Sequence, residues 1–248
     1  MDVQFSTDKG QVRQNNEDYV GYFYNENEQL LALLADGMGG HNAGDVASKL
    51  LVSSLGELWE KTAFASMDEV TTWLTETIQT QNDHIYHLGE TYESMSGMGT
   101  TLVALALCDH HVAIAHVGDS RAYRIEHGEI EQMTEDHSLV NELVRSGGIT
   151  EEMAANHPRK NYLTRTVGMK GEVGTELSVH PIHGDEQYLL CSDGLTNMIS
   201  DQHIAEILSQ DTPLSARVKT LIDAANFAGG RDNITVLVVD FKVERGDN

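Results

Sequence analysis

The chain has 248 residues, with 39 Asp and Glu against 16 Lys and Arg, a formal net charge of −23. So acidic a chain repels phosphate backbones and anionic headgroups, which excludes general nucleic-acid binding and electrostatic attachment to membranes. Its 40% hydrophobic and 22% charged content is that of a globular protein, and one domain able to bury roughly 70–75% of its extended surface is the expectation at this length.

The first ten residues lack the basic stretch and apolar run of a secretory signal. Strand-like runs follow at 19–24 and 30–35. Next comes an apolar stripe of helical period, Val46, Leu50, Leu51, Leu55, Leu58 and Trp59, and then a second through Val70, Trp73, Leu74, Ile78 and Ile85. Further strands are expected at 100–107, 112–117 and 122–125. The turn-like pairs Asp109-His110, Gly118-Asp119 and His127-Gly128 argue for antiparallel hairpins there. Segment 139–162 is polar, glycine-containing and irregular, the best candidate for a mobile surface segment. A strand at 188–192 precedes a helix from about Ser200 carrying Ile204, Ile207 and Leu208. The next helix has Thr212 as its cap, Pro213 at its first position and Leu214, Val218, Leu221, Ile222 and Ala225 on one face. A strand at 234–241 completes the set. Helices in sequential pairs and strands in hairpins predict a layered α+β domain. The longest apolar runs, such as 102–108, fall far short of the roughly 20 residues that span a bilayer. Cys108 and Cys191 are too few and too distant for a disulfide framework or a zinc site, which predicts a reducing cytoplasm.

Several chemistries fail in detail. Asp36-Gly37-Met38-Gly39-Gly40 follows a strand, but a dinucleotide fingerprint needs glycine where Asn42 stands, and no Gly-Lys-Ser/Thr follows. A cysteine-nucleophile phosphatase needs arginine six residues past its cysteine, and those positions are Ile114 and Asn197. Ser120 is followed by Arg121-Ala122, so no nucleophile elbow exists, and no His-Glu-x-x-His or calcium loop is present.

The informative residues are four aspartates at strand ends: Asp36, Asp119, Asp193 and Asp232. Read singly, each is a turn residue, since Asp-Gly is a common turn pair. Read together, inward-aimed carboxylates repel one another unless cations sit among them. An oxygen-only donor set favours Mg²⁺ or Mn²⁺. Two such ions about 3.5–4 Å apart share and activate a water for attack on phosphorus. Arg13, three residues before Asn16-Glu17-Asp18, has the planar fork suited to phosphate, or is simply a solvated charge.

Arg13-Gln14-Asn15-Asn16-Glu17-Asp18, Asp36-Gly37-Met38-Gly39-Gly40-His41 and Gly97-Met98-Gly99-Thr100-Thr101 occur in that order. They are followed by Gly118-Asp119-Ser120-Arg121, Thr134-Glu135-Asp136-His137-Ser138, Thr164-Arg165-Thr166-Val167-Gly168, Ser192-Asp193-Gly194-Leu195 and Asp232-Asn233-Ile234-Thr235-Val236. In these segments the chain resembles, nearly end to end, the metal-dependent protein phosphatases of type 2C, the PPM family, and especially its minimal bacterial serine/threonine phosphatases. The resemblance implies a four-layer α-β-β-α sandwich, formed by a single catalytic domain over 1–248 with a mobile flap near 139–162. It implies hydrolysis of phosphoserine and phosphothreonine by a hydroxide bridging two divalent metals, Mn²⁺ or Mg²⁺, with a third, weaker ion. Asp36 would bridge the pair, the Gly37 carbonyl would ligate one ion, and Asp193 and Asp232 would hold the other. Asp18 and Glu17 would touch metal-bound waters, and Asp119 with Asp193 would hold the third ion. Arg13 would bind phosphate. Many eukaryotic relatives carry a histidine acid after Asp-Gly; here Met38 stands there, which leaves His41 or a metal-bound water for that role. The implied partners are phosphoproteins, including a membrane serine/threonine kinase, for a cytoplasmic monomer that binds no nucleic acid.

Overall fold

The structure, a computed structural model, describes residues 1–39 and 43–241, with only the backbone of Ala155. Two antiparallel sheets carry the chain. One has the order β1 (Asp2–Asp8), β11 (Ile234–Asp240), β10 (Gln187–Cys191), β7 (Arg121–Glu126) and β8 (Glu129–Gln132). The other has the order β2 (Asp18–Tyr24), β3 (Leu30–Met38), β5 (Leu102–Cys108), β6 (His111–Val117) and β9 (Glu176–Pro181), with the short β4 (Gly99–Thr100) paired to the end of β3. Helices α1 (Ala43–Trp59) and α2 (Met67–Thr91) pack on the second sheet, and α6 (Asp201–Leu208) and α7 (Leu214–Phe227) on the first.

Alternation along the strands creates the layers. In β3, Leu31, Leu33 and Ala35 join Leu51, Leu55 and Trp59 of α1 in one core. Leu30, Ala32 and Leu34 point the other way, into a core shared with Tyr188, Leu190, Leu237 and Val239 of the opposite sheet. A strand buried on both faces has no polar side, so 30–35 reads as an unbroken apolar run. A third core lies where Ile204, Leu208, Val218 and Leu221 meet Tyr123, Leu189, Val236 and Val238. The expected α-β-β-α sandwich is therefore the observed architecture.

Departures from the sequence reading sit at edges and ends. Strands β1, β8 and β9 were not expected; all three are sheet edges and carry exposed positions, so none shows a continuous apolar run. Segment 139–162, read as irregular, contains two short helices, α3 (Leu139–Arg145) and α4 (Glu151–Ala155). Ser138 and Thr150 cap them by accepting from the N–H groups of Asn141 and Met153 at 3.3 Å. Pro213 is itself the residue before α7, with φ −52° and ψ 142° and no side-chain cap, rather than lying inside the helix behind a Thr212 cap. No helix among the described residues is long and apolar enough to cross a membrane.

Candidate metal centre

Asp18 of β2 and Asp36 of β3 lie opposite each other in the antiparallel register. They continue the rows of Val20 and Leu34, so both carboxylates point toward the other sheet. Like charges placed directly across a ladder destabilise it, so this pairing needs a compensating cation or a shared proton. Asp18 is 4% exposed. Its Oδ2 accepts from the Ser192 hydroxyl at 2.8 Å, and that hydroxyl accepts from the Thr235 N–H at 3.0 Å, tying the first sheet to the second. Its Oδ1 is buried without a hydrogen-bond partner among the described residues. Burial, then the charges of Asp193 and Asp232, push Asp18 up to about 7. Burial and four neighbouring aspartates hold Asp36 well above the ordinary carboxylate range.

Three more carboxylates complete the group. Asp193 opens the single-turn α5 (Asp193–Thr196) after β10; its Oδ2 accepts from Asn197 Nδ2 at 3.0 Å, and burial with Asp232 raises it to about 6. Asp119 follows β6, and burial, then Asp193 and Asp136, raise it to about 7. Asp232 precedes β11 and accepts from Arg13 Nη2 at 2.7 Å, with Arg13 half exposed. Arg13, Glu17, Asp36, Gly37, Asp119, Asp193 and Asp232 all line one cavity of about 240 Å³. Of the residues singled out from sequence, these seven are brought together, and Asp18 reaches Ser192 beside Asp193. His41 lies outside the described residues.

Close backbone approach explains the two Asp-Gly pairs, and a turn does not. Neither Gly37 nor Gly194 has positive φ. A Cβ at Gly37 would collide with the Gly44 carbonyl of α1, and one at Gly194 with the Asn233 carbonyl. Gly118 differs, with φ 107° and Thr101 packed where its Cβ would go. Sequence reasoning quoted Thr100, Thr101 and Asn233 within motifs but assigned them nothing. Thr101 Oγ1 accepts the Asp36 N–H at 2.9 Å, while Thr100 Oγ1 donates to the Asp36 carbonyl at 2.9 Å. Asn233 Nδ2 donates to the Lys9 and Asn15 carbonyls, and its Oδ1 accepts the Glu17 N–H. Asn161 and Leu163 bring the far end of the 139–162 segment to the cavity. Of these residues only Asn233 adjoins a strand-end aspartate, Asp232, in the sequence.

The donor set is carboxylate and carbonyl oxygen, the chemistry of hard divalent cations. Six clustered carboxylates, Glu17 with the five aspartates, one contacting guanidinium and an orphaned buried oxygen fit such ions.

The protein phosphatase 2C family profile matches residues 7–225. The chain is 47% identical over 241 residues to a serine/threonine phosphatase stp of Listeria innocua, covering 97% of this chain and 96% of that one. It superposes on a serine/threonine phosphatase of S. agalactiae with a TM-score of 0.94 at 44% identity, over 96% and 98% of the two chains. The catalytic domain of the serine/threonine protein phosphatase PstP, solved in complex with two manganese ions, matches with a TM-score of 0.84 at 35% identity over 96% and 97%. The chain belongs to the protein phosphatase 2C family. Within it, the protein is a bacterial-type PPM serine/threonine phosphatase, a hydrolase of a metal-dependent family.

Proposed function

We propose that the protein dephosphorylates phosphoserine and phosphothreonine in proteins by a one-step, two-metal route, as a single catalytic domain over 1–248. The observation that carries this reading is the cluster of Asp36, Asp119, Asp193 and Asp232 around one cavity, with Asp18 buried beside Asp36 and Arg13 the guanidinium in contact with it. Asp36 and the Gly37 carbonyl, with Asp193 and Asp232, are the residues to hold a pair of Mn²⁺ or Mg²⁺ ions. Asp18 and Glu17 would contact those ions through water, and Asp119 with Asp193 would hold a weaker third ion. A divalent pair supplies Lewis acidity and makes water nucleophilic near neutral pH. The aspartates must shed their protons to take cations, so loading strengthens as pH rises through about 6–7, the range to which Asp193, Asp18 and Asp119 are raised. Arg13, at the cavity wall, receives the phosphate oxygens with its planar donors. Met38 at the wall has no proton to give, so His41 or a solvent molecule protonates the leaving oxygen.

Segment 139–162 acts as a movable flap. In support, Val140 and Val144 of α3, Ala154 of α4 and Asn161 line a groove of about 590 Å³ that shares Asp119, Asn161 and Asp193 with the metal cavity. A phosphorylated segment laid in that groove would present its phosphate to Arg13. The protein works as a monomer in the cytoplasm, and a membrane-anchored serine/threonine kinase is its counterpart; deleting the phosphatase gene should raise phosphothreonine on that kinase. The enzyme test is direct. EDTA should abolish hydrolysis of a phosphothreonine peptide, excess Mn²⁺ should restore it, and Asp193→Ala should not recover; chelator-resistant activity, or faster turnover of small phosphate esters than of phosphopeptides, sinks the reading.

A further inference from the structure

Among the described residues, the one trio of ligand-type side chains with atoms within 4.8 Å of one another is not the aspartate cluster but His116, His137 and Glu176. It does not suit a cation. The two imidazoles are stacked, centroids 4.6 Å apart and 20° between planes, so their lone pairs run side by side instead of converging. Arg165 Nη1 stands 3.3 Å from His137 Nε2 and 3.0 Å from Glu176 Oε1, in the space an ion would need.

Followed atom by atom, the cluster leads to Asp119. The Gly118 N–H donates to His137 Nδ1 at 3.1 Å, and the His137 N–H donates back to the Gly118 carbonyl at 2.9 Å. An Nδ1 that accepts leaves the ring proton on Nε2, where it meets Glu176 Oε1 at 3.1 Å. Glu176 also receives Arg165, which donates to the Gly174 carbonyl at 3.2 Å. Burial first, then His116 and Arg165, lowers the His137 pKa, which keeps the ring neutral and Nδ1 an acceptor. One residue earlier, Asp136 takes both Nε and Nη2 of Arg121 at 2.8 and 2.7 Å. Residues 136–137 thus grip the turn 118–121 on either side of Asp119. The same histidine also marks the root of the 139–162 segment: the Thr164 N–H donates to the His137 carbonyl at 2.8 Å, and Ser138 bridges to Leu163.

We propose that His137 is a positioning residue for Asp119, fixing the Gly118–Asp119 peptide through its unprotonated Nδ1 so that the carboxylate is aimed at the third-ion position. The inference rests on the third-ion reading given above. Glu176 and Arg165 act through the ring, holding its tautomer and plane. Groups that orient a ligand commonly change metal affinity by about 10–100-fold when removed.

Two substitutions separate the nitrogens. His137→Asn keeps an acceptor near the place of Nδ1 and loses the Glu176 contact; His137→Gln keeps a donor near the place of Nε2 and loses the acceptor for Gly118. Calorimetric titration of the metal-free full chain with MnCl₂ counts the ions directly. The wild type is expected to show a tight class and one weaker ion; His137→Gln should weaken the weaker ion about tenfold or more, with the tight class unchanged, and His137→Asn should stay near wild type. A wild type without any weaker ion removes the third-ion reading and this inference with it. A weaker ion that is present but equally affected, or equally untouched, in the two variants overturns the positioning role alone. Nitrogen-15 NMR of the wild-type ring tests it without substitution: Nδ1 should be unprotonated and hydrogen-bonded, and a proton on Nδ1 overturns the inference.

Discussion

Of the charged groups set into the layers of this sandwich, two obey different rules. Arg217 of α7 and Asp240 at the end of β11 are both buried, with Nη2 at 3.0 Å from the carboxylate. Arg217 Nη1 also donates to the Leu208 carbonyl at the end of α6 and to Gln187 Oε1. Charge meets opposite charge there, and the pair joins two helices to the paired ends of the interior strands β10 and β11. At the other site five aspartates face one another, while Arg13 is bonded to Asp232 and also feels Asp36, Glu17 and Asp193. Burying unbalanced charge is unfavourable unless something else completes it. Balance marks a structural joint, and imbalance is what the proposed cation and phosphate site requires.

The contrast can be broken from either side. Asp36→Ala or Asp193→Ala should lower kcat by at least about 10³-fold, the upper end for loss of one preorganised electrostatic contact. Metal-free melting should not fall, because one repelling carboxylate has gone; a large drop in melting temperature would make these aspartates structural. Arg217→Ala should do the reverse, losing about 3–5 kcal/mol in denaturant unfolding, the range for breaking a buried ion pair by removing one partner. Activity per folded molecule should hold. Arg13→Ala should lower kcat/KM on a phosphopeptide by about 10²-fold, with Arg13→Lys recovering only part because the fork is lost. If Arg13→Ala matched Asp193→Ala, its separate role in holding phosphate would fall.

The smallest effect concerns pH. Asp18 and Asp119 near 7 and Asp193 near 6 hold protons in the folded, metal-free chain that an unfolded carboxylate, near 4, has released. That stabilisation is complete below about pH 4 and is lost as pH rises through about 6–7. The EDTA-treated protein should therefore melt higher at pH 5.5 than at pH 8, by scanning calorimetry. Excess Mn²⁺ should invert the order, since ions bind the deprotonated form. A metal-free profile flat over that range would mean that the carboxylates are not crowded.

The sequence made the centre of the molecule plain and its margins obscure, for a physical reason. Doubly buried strands such as β3 must be apolar throughout, and the aspartates that end such runs stand out against them. The edge strands β1 and β9 alternate weakly because solvent takes part of each face. In 139–162, α3 and α4 are too short to build a periodic stripe, and their evidence lay only in the caps Ser138 and Thr150. The glycines after Asp36 and Asp193 suggested turns, although the real constraint was a carbonyl from a distant segment, which no local pattern encodes. The roles of Thr101 and Asn233 were hidden likewise, since both act through backbone groups far along the chain.

The aspartates come from both walls of the sandwich, Asp18 and Asp36 from one sheet and Asp193 and Asp232 beside strands of the other. An ion gripped from both sides is available to the folded chain alone. At a concentration one hundred times its dissociation constant it adds about 2.7 kcal/mol to stability. Roughly a hundredfold fewer molecules would then be open to proteases at any moment. Divalent-ion supply would thus govern how many copies of the enzyme survive as well as how fast each one turns over, and a cell short of the ion would see its phosphatase population shrink.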